Sequence, residues 1–173
     1  MIVGMSLATF TTLHVIISLV AIVSGIIVVF GMIGSQQMPG WTALFLTMTI
    51  LTSLTGFLFP VNGFTPALGT GIYSLIVLAI ALFALYAKSL AGAWRWIYIV
   101  TAVAALQANI LVLIVQGFEK IKFLNPHAPQ VGPPFLEPQN MQFIVAQGAA
   151  LVILVALAIV ALFRFRPGVV ISD

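Results

Sequence analysis

Cysteine is missing from the 173 residues, which removes disulfides, thiolate metal sites, iron–sulfur clusters and thiol redox chemistry. Charge is nearly missing as well. Six Lys/Arg and three Asp/Glu make up 5% of the chain, where a soluble domain carries about 25%. No water-soluble surface can be built from so few ionic groups, so a cytosolic enzyme, a DNA-binding module and a disordered tail are all excluded. The net charge of +3 rests on too few groups to indicate nucleic acid, and no nucleic-acid partner is expected. Two His and three acidic residues leave little material for acid–base catalysis. Phosphate-cradling loops, metal-protease patterns and nucleophile elbows are absent, and the six Met are too scattered for a copper site. No catalytic residue and no metal ligand is therefore assigned, and the cofactor is left open.

What the chain has is grease: 62% of it is hydrophobic. Five stretches reach the roughly 20 apolar residues that cross a bilayer core: Leu7–Ile33, Trp41–Phe59, Leu68–Ala87, Trp96–Phe118 and Met141–Phe163. None contains a formal charge. The expected fold is all-α, a single integral membrane domain over residues 1–173 with five transmembrane helices. Met1–Ser6 carries no Lys or Arg and the apolar run after it is too long for a secretory signal. Period-2 alternation is absent, which argues against a membrane barrel.

Three connections are short and force antiparallel neighbours. The fourth, Glu119–Asn140, holds Pro126, Pro129, Pro133, Pro134 and Pro138, and such a segment is expected to be extended across the bundle mouth. Lys88, Arg95, Arg164 and Arg166 fall on one side of a five-span chain, Lys120 and Lys122 on the other. The Lys/Arg excess marks the cytoplasmic flank. The C-terminus is thus expected inside, with the N-terminus and the Pro-rich connection outside.

Polar side chains gather in the outer half. With a rise of about 1.5 Å per residue, His14 lies roughly 10 Å inside the outer end of the first span. Ser53 and Thr55 sit in the same half of the second, Ser74 of the third, Asn109 and Gln116 of the fourth, and Gln147 of the fifth. Polar groups in hydrocarbon turn toward one another or toward a wet cavity, so these seven residues are the ligand-pocket candidates. They also lie on stripes of small residues, such as His14, Ser18, Ala21 and Gly25, or Ala102, Ala105 and Asn109. Small stripes let helices approach closely, and packing alone accounts for most of them.

Three further features stand out. His14 could ligate haem or metal, relay a proton or bond a quinone carbonyl; the plain alternative is a neutral histidine bonded to a neighbouring Thr, Asn or Gln. Gln107 points about 160° away from Asn109 on a helix of 3.6 residues per turn, which suits a contact between protomers or with another subunit, or else a bond within a wider bundle face. Glu119, Lys120 and His127 are candidates for the pocket mouth, with an interfacial anchor as the plain reading of the charged pair.

The run WTALFLTMTILTSLTGFLFP at Trp41–Pro60 and the run LAGAWRWIYIVTAVAAL at Leu90–Leu106, with LHVIISL at Leu13–Leu19 and PPFLEPQ at Pro133–Gln139, resemble a family of small uncharacterised polytopic bacterial inner-membrane proteins. The likeness spans nearly the whole chain. It implies a multi-pass protein of the bacterial cytoplasmic membrane and brings no catalytic residues. Where such proteins often carry an aromatic-Leu-Asn run in the fourth helix, this chain has Leu106-Gln107-Ala108-Asn109.

The resulting expectation is a non-enzymatic subunit, partnered by lipid and by copies of itself or other membrane chains. Two alternatives stand beside it: a channel, carrier or binder using the outer polar pocket, and a redox-associated subunit holding quinone or haem near His14.

Overall fold

The computed structural model describes residues 2, 4–60, 63–124 and 141–166. Five helices follow in order: α1 Leu7–Ile33, α2 Pro39–Gly56, α3 Pro66–Leu82, α4 Trp94–Lys120 and α5 Met141–Arg164. A single π turn, Phe83–Ala87, continues α3. Four of the helices are long and apolar enough to cross a membrane: α1, α3 with its π turn, α4 and α5. The 18-residue α2, with five Thr and one Ser, is not among them.

Local signals set the boundaries. Pro39 and Pro66 each stand in a first helical turn, where a missing N–H costs nothing and the fixed φ favours entry. Helices α2 and α3 therefore start two residues ahead of the expected 41 and 68. At its far end α2 stops at Gly56 rather than 59, because Phe57–Phe59 turn before Pro60, which disfavours helical geometry in the residue ahead of it. Helix α4 gains two residues at each end and carries Lys120 in its last turn. Of the Pro-rich connection, only 119–124 falls among the described residues.

Helix α4 is the hub. It packs against α1, α2, α3 and α5, while α1 also contacts α2 and α5, and α2 contacts α3. Ala102, Ala105 and Leu106 of α4 are fully buried, as are Ala21 of α1 and Ala81 of α3. The closest approach is at Gly25: a methyl group there would come within 2.8 Å of the Phe45 ring and 2.9 Å of Leu106. A larger residue there would have to displace the Phe45 or Leu106 side chain as α1 settles between α2 and α4. Helix α5 is the opposite case, burying Leu154 and Ala161 and little else.

Four of the six hydroxyls of α2 bond within the helix. Thr49, Thr52, Ser53 and Thr55 each donate to the carbonyl four residues back, at 2.6 to 3.0 Å. This back-bonding removes most of the cost of their polarity in an apolar setting, and it makes α2 far less hydrophilic than its composition reads.

Candidate functional site

Antiparallel packing gives the bundle two ends. One gathers the start of α1, the end of α2 and the end of α4; the other gathers the end of α1, the starts of α2 and α4, the π turn and the end of α5.

At the first end, the half-buried His14 places Nδ1 2.7 Å from Thr55 Oγ1, the pairing with a neighbouring Thr that the sequence left open. The Phe59 ring meets His14 edge-on at 5.2 Å and Phe10 at 5.1 Å. Helix starts are closed by hydroxyls here: Ser6 accepts from the Thr9 N–H, and Thr65 from the Leu68 N–H. Each satisfies an amide that the helix itself cannot.

The remaining candidates do not converge on one pocket. Asn109 donates to Thr49 Oγ1 at 3.1 Å in the buried centre. Ser53 bonds the Thr49 carbonyl, and Gln147 donates to the Leu111 carbonyl at 3.0 Å. Gln116 reaches Glu119 at 3.3 Å, one turn along its own helix. Ser74 is buried with its hydroxyl unpartnered. Glu119 and Lys120 are exposed in the last turn of α4; His127 lies outside the described residues. The polar residues thus form pairs across or along helices, with His14–Thr55 the one pair drawn from within the candidate pocket set.

Gln107 sits on the least covered stripe of α4, with Val100, Ala104 and Leu111 at i, i+4, i+7 and i+11. Its Oε1 is buried without a hydrogen-bond partner. The Gln147 Oε1 is buried and unpartnered too, and since Gln147 binds Leu111, it lies where α5 meets α4.

A cavity of about 720 Å³ lies at the second end. None of the sequence-derived candidates lines it. Its deeper wall is apolar, with Val28, Met32, Leu85 and Phe165, and its polar groups are Gln36, Gln37, Thr42, Tyr86, Ser89 and Tyr98. Tyr98 is 2% exposed and its hydroxyl interacts with Thr42.

The backbone here is unusual. Ser35, Ser89 and Leu90 have φ of 56°, 45° and 59°, a left-handed conformation that non-glycine residues rarely adopt. The neighbouring π turn, Phe83–Ala87, is a form that recurs at functional sites. Two latches hold the end of α5 against this region. Arg95 Nη1 donates to the Phe165 carbonyl at 2.7 Å. The Ser35 hydroxyl accepts from the Arg166 N–H at 2.9 Å and donates to its carbonyl at 3.2 Å. Phe165 is thereby fixed as a wall of the cavity. Lys88 lies over the Phe83 and Trp94 rings, at 5.4 and 5.8 Å from their centroids.

In the sequence, Gln36-Gln37 was readable as a polar pair in the first connection. The cavity behind it had no signal, being formed by ordinary residues of five separate segments. Among the described residues, no cluster of three or more His, Cys, Asp or Glu could hold a metal ion. Comparison of the chain with protein-family models, with curated proteins and with solved structures gives no match.

Proposed function

We propose that the chain is a non-enzymatic membrane protein of five spans in the bacterial cytoplasmic membrane, acting as a subunit, either with copies of itself or as an accessory chain of a larger complex. Helix α2 completes the five. At about 1.5 Å per residue its 18 residues reach about 27 Å, close to the hydrocarbon thickness, and four of its six hydroxyls are bonded within the helix. Lys88, Arg95, Arg164 and Arg166 at the cavity end against Lys120 and Lys122 at the other support a cytoplasmic cavity end and C-terminus.

The observation that carries the subunit reading is Gln107. Gln107 stands partly exposed on the least covered stripe of α4, with its Oε1 buried and unpartnered, and the exposed part of such an amide is poorly matched to lipid. A helix packed on that stripe covers it, and interhelical amide contacts of this kind hold membrane helices together. A pocket around His14 draws less support, since its polar groups are spread over separate pairs rather than gathered at one cavity.

The test is the mass of the purified chain in detergent by light scattering, with crosslinking in the native membrane. The expected result is a mass of two or more chains or a recovered partner, and a shift toward the monomer in Gln107→Leu. A strictly monomeric chain with no recoverable partner would overturn the reading.

A further inference from the structure

We propose that the cavity at the Arg95 end binds an uncharged lipid-class molecule whose head carries carbonyl or hydroxyl oxygens. The inference is independent of the subunit reading.

The volume of about 720 Å³ falls within the range of about 300–1,000 Å³ that small-molecule sites occupy. The arrangement of the wall is that of an amphiphile. Val28, Met32, Leu85 and Phe165 form the apolar part, while the exposed Gln36 and Gln37 amides stand at the mouth. Among the described residues, no Lys, Arg, His, Asp or Glu lines the cavity. Beside the lining, Lys88 lies over two aromatic rings and Arg95 donates to the Phe165 carbonyl. An ionic head seated against this lining would lose water without gaining a counter-ion from it, which disfavours it.

Neutral hydrogen-bonding groups gather here: the Gln36 and Gln37 amides and the Tyr86 and Ser89 hydroxyls, each able to donate or accept. The start of α2 at Met38 receives no side-chain cap, so the amides that follow Pro39 lack the partner that a cap would give. A head with carbonyl or hydroxyl oxygens can pair with these groups. The shape is also held open rather than collapsed: Ser89 and Leu90 line the cavity in left-handed conformations, and such costly backbone gathers at ligand-holding sites.

Two molecular sources share this chemistry, an alkyl quinone and a diacylglycerol. Purified full chain in detergent is titrated with decylbenzoquinone and, separately, with dioctanoylglycerol, and bound mass is read by native mass spectrometry. The expected result is saturable binding of one molecule per chain from one class or both, and the arm that binds identifies the source. Ala91→Trp, placed at an exposed lining position, fills the mouth and should weaken binding about tenfold or more. The double variant Gln36→Leu, Gln37→Leu keeps the volume, alters only exposed side chains and removes both amides, for a loss of about three- to tenfold. Absence of saturable binding in both arms overturns the proposal. So does undiminished affinity in the glutamine double variant, or tighter binding of phosphatidylglycerol than of either neutral probe.

Discussion

The two ends of the bundle are built from similar material and finished differently. At the His14 end, polar groups are spent on closure: Ser6 and Thr65 cap helix starts, and His14 meets Thr55. At the Arg95 end, the starts of α2 and α4 carry no side-chain cap, the chain adopts left-handed φ at three non-glycine residues, and a cavity remains. Polar content alone therefore does not mark a site in a membrane bundle. Buried hydroxyls occur at both ends, Ser53 and Ser74 at one and Ser24, Thr42 and Thr101 at the other. The end with room for a ligand is marked by helix starts that were left uncapped.

The largest effect is expected where the two ends share a core. In Gly25→Leu, the added side chain enters space already held by Phe45 and Leu106, and overpacking of this kind costs about 1–3 kcal/mol or more. Both ends should loosen together, seen as lower resistance to SDS unfolding and as faster amide exchange at each. Loosening confined to one end would show that the ends do not share one packing unit.

Arg95→Met comes next and separates the ends. Losing the charge-assisted bond to the Phe165 carbonyl should cost about 1.5–3 kcal/mol, felt locally because α5 buries so little of its own length. Amide exchange should rise near Phe165 and Ser35 while the α1–α2 contact around His14 keeps its protection. Equal exchange at both ends would break the comparison.

Much of the fold is legible in the sequence, and much of the candidate site is not, for a definable reason. Uncharged apolar runs locate the helices to within a few residues, since length and hydropathy are properties of one segment. Helical spacing likewise picks out Ala21, Gly25, Ala102, Ala105 and Asn109 as inward-facing, and all five are buried. Pairings between helices are a different matter. That Asn109 meets Thr49 and Gln147 meets the Leu111 carbonyl depends on how the helices are rotated and shifted against each other, which no single segment encodes. The cavity is further still from the sequence. It is a void where α1 ends, α2 and α4 start and the π turn shifts the chain, and a void has no residue type.

A smaller effect is expected from the His14–Thr55 pair, measured as a double-mutant cycle with His14→Phe and Thr55→Val. Hydrogen bonds between membrane helices average about 0.6 kcal/mol in such cycles, and this one is short at 2.7 Å, so a coupling of about 1 kcal/mol is expected. The edge-on contact with Phe59 is retained by the phenylalanine ring, which isolates the hydrogen bond in the cycle. A coupling near zero would mean that the pair is not a closing contact, and the contrast between the ends would weaken.

The smallest effect is expected from Ser6→Ala. The serine hydroxyl accepts from the Thr9 N–H at 3.1 Å in an exposed turn, so removing it should cost about 0.5–1 kcal/mol. Its value lies in where the loss is felt. Fraying of α1 from its start should raise amide exchange over the first turn and leave Trp41 and Trp94 fluorescence, at the far end, unchanged. The reciprocal change is Met38→Ser, which offers α2 the side-chain cap it lacks. If the uncapped start serves a ligand head, the new hydroxyl should strengthen α2 by a similar amount while weakening decylbenzoquinone or dioctanoylglycerol binding, because both compete for the same amides. Stabilisation without any loss of binding would show that the open helix start is incidental, and the difference between the two ends would reduce to packing alone.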